Sequence, residues 1–119
     1  MVFDVVLKIT GALQRAGVPV VAGTDVGVPG HTLHRELELY VKAGFTPLEA
    51  IQAATIVPAR VMKVDAEVGT IEVGKRADLV VVDANPIDNI SNIRKTRFVV
   101  TQGRVFECAK LWQSVGFKN

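Results

Sequence analysis

Val18-Pro19-Val20-Val21-Ala22 is apolar at every position and runs into Gly23-Thr24-Asp25. A strand with one wet face alternates apolar and polar residues, because successive side chains point to opposite sides. An unbroken, largely β-branched run instead fits a strand covered on both faces, as in a parallel sheet. Such a strand needs helices to cover it, and the sequence before it supplies one. Phe3, Val6, Leu7, Thr10 and Leu13 recur at helical spacing and predict an amphipathic helix over residues 3–16. Ala16-Gly17 is its stop signal, with Pro19 two residues on. Helix, glycine stop, then buried strand is the pattern of α/β architecture. In such sheets ligands sit in the loops after the C-terminal ends of strands. Here that is the loop carrying Asp25, Gly27, Pro29 and Gly30.

Two further helices are predicted beyond the loop. One covers about residues 32–43, with Leu33, Leu37, Tyr40 and Val41 on one face and Gly44 at its end. The next begins at Thr46-Pro47-Leu48-Glu49, a capping box with proline at the first helical position. Phe45 is placed to pack over Ala50 as a staple. That helix is expected to run to about Val57, with Pro58 restarting a short turn through Met62. The pattern changes near Asp65. Leu79-Val80-Val81-Val82 predicts a buried strand, and Phe98 to Thr101 and Arg104 to Phe106 flank Gln102-Gly103 as a hairpin. Gly103 supplies the positive φ of a two-residue turn, for which Gln102 is less suited than Asn or Asp. The tail from Ala109 to Asn119 can form a last helical turn. The chain thus divides into a helix-strand-helix-helix segment, residues 1–64, and a β-rich segment, residues 65–119, an α/β to α+β composition.

Charge and cysteine content narrow the function classes. The 14 basic and 12 acidic residues nearly balance, and aromatics make up 6%, so no basic-aromatic surface for nucleic acid is present. Lys75-Arg76 and Arg94-Lys95-Arg97 read as solvated faces. Cys108, the single cysteine, precludes an internal disulfide, and no Cys/His cluster has structural zinc spacing. Met1-Val2-Phe3-Asp4 has neither a basic start nor a long apolar stretch, so no signal peptide is expected there. No apolar run approaches the roughly 20 residues of a membrane span. A cytoplasmic, reducing compartment is the default expectation.

Asp25 is the first candidate for chemistry. A carboxylate just past a buried strand can ligate a metal, or take a proton from a metal-bound water and pass it to a leaving group. It can equally cap a turn. His31 and His34, the only histidines, sit three apart at a helix start, where they share a face and can both reach a metal or substrate. Surface or capping roles suit them as well. Glu36 and Glu38 read as first-turn acids complementing the helix dipole. Ser91, Ser114 and Cys108 lack a His/Asp pattern that would make a nucleophile. Gly69, Gly74 and Lys75 have the wrong spacing for a phosphate loop and read as a turn between strands.

Five segments then occur in a recognisable order: Ala22-Gly23-Thr24-Asp25, Leu33-His34-Arg35-Glu36-Leu37, Ala43 to Ala50, Ala53-Ala54-Thr55, and Gly69 to Val80. In this the chain resembles the C-terminal part of the amidohydrolase superfamily, in the branch of imidazolonepropionase-like and Xaa-Pro dipeptidase-like enzymes, over nearly its whole length to Phe106. The resemblance implies a metal-dependent hydrolase (β/α)8 barrel with a flanking composite β-sandwich. Val18 to Ala22 would be the last barrel strand, and residues from Gly69 to Phe106 the C-terminal share of the sandwich. It implies hydrolysis of an amide or other C–N bond of a small molecule by a metal-activated hydroxide, the metal being divalent and typically zinc. Asp25 would then be both metal contact and general base and acid. His34 and Glu36 match positions common in this branch, without an assigned role.

The resemblance also implies what is missing. The other metal ligands belong to earlier strands, and a full barrel takes about 250 residues. One carboxylate cannot hold a catalytic metal, which normally has about three protein ligands. A barrel strand without neighbours exposes its edges, and helices without a barrel expose apolar faces, so association is expected. Partners would be further copies of the chain or a complementing N-terminal amidohydrolase portion. Three functions follow: an amidohydrolase piece inactive alone, a non-catalytic oligomerising module derived from the fold, and a small metal hydrolase assembling its site between subunits from Asp25, His31 and His34. The family reading is anchored on Val18 to Asp25 being an interior strand with an acid at its tip.

Overall fold

A computed structural model describes residues 1–25, 27–28 and 30–116. Pro29 of the predicted loop and residues 117–119 of the predicted tail lie outside the described residues. The order is α1 (Val2–Arg15), α2 (Thr32–Lys42), α3 (Pro47–Ala53), α4 (Ile56–Val61), β1 (Leu79–Val82), a 3-10 helix (Ile90–Arg94), β2 (Thr96–Thr101), β3 (Arg104–Glu107) and α5 (Cys108–Ser114). Four helices come first, a three-stranded antiparallel sheet of order β1-β2-β3 follows, and α5 comes after it. No helix among the described residues is long and apolar enough to cross a membrane.

Local signals set most boundaries. Thr46 caps α3 through a reciprocal pair of bonds. The Glu49 amide donates to Thr46 Oγ1 at 3.2 Å, and the Thr46 amide donates to Glu49 Oε2 at 2.7 Å. The helix it starts stops at Ala53, short of the expected Val57. Pro58 explains the break. In a continuous helix its ring would collide with the Ala54 carbonyl, and it has no N–H to give. The chain restarts at Ile56, where Pro58 occupies the third position of α4 and its missing donor costs nothing. Gln102 and Gly103 both take positive φ, +51° and +71°, the geometry of a type I′ turn, and pair Thr101 with Arg104 across the β2–β3 hairpin. The tail forms α5, a full helix where only a turn was expected, packed on β2 and β3.

The core is small and lies among α2, α3 and the 3-10 helix. Leu37, Tyr40, Phe45, Ala50, Ala53 and Ile90 form one buried cluster, with Val20, Ala22 and Ile93 packed on it. Tyr40 and Phe45 stack with ring centroids 5.0 Å apart. Phe45 and Ala50 share the cluster, as the staple requires. Ile90 is the link by which the β-rich part enters this core. Gly11 marks the closest approach of α1, since a β-carbon there would overlap the Ala43 carbonyl just past α2.

Two strand expectations are corrected. Val18 to Ala22 forms no regular strand, and Val18 and Val21 are 44% and 40% exposed rather than enclosed. A strand exists only through a hydrogen-bonded neighbour, and the described residues offer this segment no ladder. Its inward residues Val20 and Ala22 still meet the core. Leu79–Val82 does form a strand, but Val80 and Val81, which point to opposite faces, are both about half exposed, so neither face of β1 is fully covered. Its β-branched composition matches pairing with β2, not burial on both faces.

Candidate functional site

The apolar run leads to Asp25, and two backbone amide bonds fix the chain just ahead of it. The Ala22 amide donates to the Ala53 carbonyl at 2.8 Å, tying the segment to the end of α3. The Gly23 amide donates to Glu36 Oε1 at 3.0 Å, tying it to α2. Tyr40 Oη lies 2.5 Å from the same Glu36 oxygen and 3.3 Å from the Val21 carbonyl. One turn of helix separates Glu36 from Tyr40, so both reach the segment from the same face of α2. Burial first, and then the Glu36 carboxylate, push the Tyr40 phenol above its ordinary value, which keeps it an O–H donor. Asp25 is exposed and has φ +29°, in the left-handed region that Asp tolerates better than most residues.

His31 occupies the N-cap position of α2 without a side-chain cap bond. Its ring centroid is 6.1 Å from that of Trp112, so α5 folds back toward the loop that follows Asp25. Gly30, at φ +80°, permits this approach, because a β-carbon there would stand 2.9 Å from the Trp112 ring. His34 is half-buried one turn further along. Burial, then the Arg94 and His31 charges, lower its pKa against the opposing pull of Glu38, so the imidazole favours its neutral form. Among the described residues, no group of three His, Cys, Asp or Glu side chains could hold a metal ion. Asp25, His31 and His34 are therefore not brought together as a ligand set.

The two glutamates of α2 are not first-turn acids; that turn contains none. They begin one turn later and serve tertiary bonds instead. Glu36 holds Gly23 and Tyr40, as described. Glu38 accepts from Arg94 Nε at 2.7 Å and Nη2 at 3.1 Å, from Arg35 at 3.1 Å and from Ser91 Oγ at 3.1 Å. The Arg94 bonds above all, then those of Arg35 and Ser91, hold its carboxyl at about 2 despite partial burial. This network joins α2 to the 3-10 helix. No periodicity in the sequence announces it, since Arg94 lies 56 residues from Glu38. Glu36 had one signal, its place inside the Leu33 to Leu37 segment. Cys108 is buried and its thiol is pushed up by that burial, consistent with no nucleophilic role.

Comparison with known proteins places these features in a wider frame. The sequence profile described as the Amidohydrolase family matches residues 4–106. Ochratoxinase of Aspergillus niger is 33% identical over 112 residues, covering 92% of this chain and 22% of that protein. The crystal structure of a Xaa-Pro dipeptidase with methionine bound in its active site superposes with a TM-score of 0.77 at 33% identity, covering 85% of this chain and 25% of that one. Molinate hydrolase gives the same TM-score, 0.77, at 28% identity, covering 92% and 28%. The chain thus spans between a fifth and a third of the length of these relatives.

Proposed function

Because this chain belongs to the amidohydrolase family, we propose that it is the segment of a C–N bond hydrolase that supplies Asp25, and that it is inactive by itself. In this reading Val18 to Ala22 is the last strand of a (β/α)8 barrel, and the β1–β3 sheet is its share of a composite β-sandwich. The strand on which the sequence reading anchored the family does not form in this chain, and the family stands instead on the match over residues 4–106. Its absence fits a strand whose neighbours belong to the remainder of the barrel. The observation that carries the proposal is the tethering of Ala22 and Gly23 by Ala53 and by Glu36, the latter held by Tyr40, which leaves Asp25 exposed just beyond a fixed backbone.

The family implies a divalent metal, typically zinc. The described residues do not fit one by themselves, since they offer a lone carboxylate where about three ligands are needed. No step is therefore derived through it. What this chain brings is a carboxylate that takes a proton from the attacking water and returns it to the departing nitrogen. The substrate is a small amide or peptide-like molecule. The remaining ligands come from protein outside these 119 residues, in the same polypeptide or a separate one.

A second reading has its own observation. Val2, Phe3, Val5, Val6 and Ile9 of α1 are all more than half exposed, a surface suited to a non-catalytic association module. Metal content and turnover separate the two. The purified chain is assayed for zinc and for hydrolysis of a panel of amides and dipeptides, alone and after mixing with an N-terminal amidohydrolase portion. Metal and turnover only after mixing, both lost in Asp25→Asn, support the hydrolase segment. No metal in either condition supports the association module. Stoichiometric zinc on the chain alone, lost in Asp25→Asn, overturns both in favour of a site shared between subunits.

A further inference from the structure

We infer that Glu36 is a positioning residue for Asp25, acting through the Gly23 amide and steadied by Tyr40. The inference rests on the proposed role of Asp25 and adds to it a residue that sets where that acid stands. Asp25 is exposed, and its own packing does little to fix it. Its place is decided by the backbone two residues earlier. The Gly23 amide meets a carboxylate at 3.0 Å, a charge-assisted bond stronger than one to a neutral acceptor. The carboxylate is in turn held by the buried Tyr40, whose hydroxyl also stands near the Val21 carbonyl. Both partners project from consecutive turns of α2, whose face carries Leu37 in the core, so the clamp is built on a rigid element. Ala22 is pinned from the other side by Ala53. A shift of about 1 Å in a reacting group can cost roughly 100-fold in rate, so a small loosening here registers in catalysis.

The test has two arms on Glu36→Ala, Glu36→Gln and Tyr40→Phe. In the first, amide exchange is followed by NMR on this chain alone. The expected result for Glu36→Ala is at least about tenfold faster exchange at Gly23 with a shift change at Asp25, while Leu37 keeps its protection. Glu36→Gln, which retains a neutral acceptor, falls between. Unchanged Gly23 exchange and Asp25 shifts overturn the inference, as does loss of protection at Leu37 in the mild Glu36→Gln and Tyr40→Phe variants, which would make the pair a general support of the fold. In the second arm, the chain mixed with a complementing N-terminal portion is assayed for turnover. Glu36→Ala is expected to lower kcat by about 100-fold with KM within about twofold. Glu36→Gln recovers part of that loss, and Glu38→Gln, on the same helix, leaves kcat unchanged. Asp25→Asn separates the two claims. If it retains full turnover, the role of Asp25 fails; if it abolishes turnover while Glu36→Ala leaves kcat unchanged, the positioning role alone fails.

Discussion

Glu38 shows how strongly one side chain can be committed to structure. Its carboxyl is held at about 2 against an ordinary 4.5, first by the Arg94 bonds and then by Arg35 and Ser91. The folded state therefore binds the proton more weakly than the unfolded state does. The stability this provides is present above pH 4.5 and is lost as pH falls through 2. Because Arg94 is 36% exposed, solvent screening keeps the contribution to about 1 kcal/mol at neutral pH. Urea unfolding at stepped pH should show Glu38→Gln destabilised by that amount at pH 7, with the difference from the parent shrinking as pH falls from 4.5 through 2. An unaltered slope in this window would dismiss the network. Thr46 was legible in the sequence because it sits beside its own signal, a capping box, whereas Asp25 was singled out by the end of an expected strand that does not form. Glu36 and Glu38 were misread, because the bonds that tie them to other elements reach 13 to 56 residues away, beyond helical spacing.

At the scale of elements, sequence reasoning succeeds where the chain's own chemistry decides and fails where neighbours decide. The capping box, the Gln102-Gly103 turn and the stop after α1 are local, and each forms. Thr46→Ala should cost about 1 kcal/mol in urea unfolding, since it leaves the Glu49 amide without its acceptor. Gly11→Ala sets two effects against each other. Replacing a mid-helix glycine gains about 1 kcal/mol in helix propensity. The new methyl, however, meets the Ala43 carbonyl, a backbone group that cannot rotate away, and overpacking of this kind costs about 1–3 kcal/mol. The clash wins, and the variant should unfold at lower urea with α1 shifted from α2. A gain in stability would show that α1 gives way freely. The Val18 to Ala22 run failed as a strand for the complementary reason. Its composition prepares it for a ladder that the described residues do not contain.

For the molecule as a whole, the order of the five motifs carried the family, while the apolar surface left bare had to be seen in the fold. α1 buries only Gly11 fully; Phe3, Val6 and Ile9 are each about half exposed, and Val18 and Val21 in the segment before Asp25 are exposed as well. A helix keeps such a stripe when something covers it, because each side chain of this size gains about 1.5–3 kcal/mol on full burial. Several together exceed the cost of holding two surfaces in register. The chain should therefore associate with itself at micromolar concentration when no complementing portion is present, and light scattering after size exclusion should give a mass above 12.8 kDa that falls on dilution. Val6→Lys with Ile9→Lys should restore the monomer while leaving the helical circular dichroism intact, since both positions point to solvent in the single chain. The same pair should also block turnover on mixing with an N-terminal portion if that portion covers the same stripe. A parent chain that stays monomeric at these concentrations would mean that the stripe is tolerated in water, and the case for a covering partner would then rest on the sequence relatives alone.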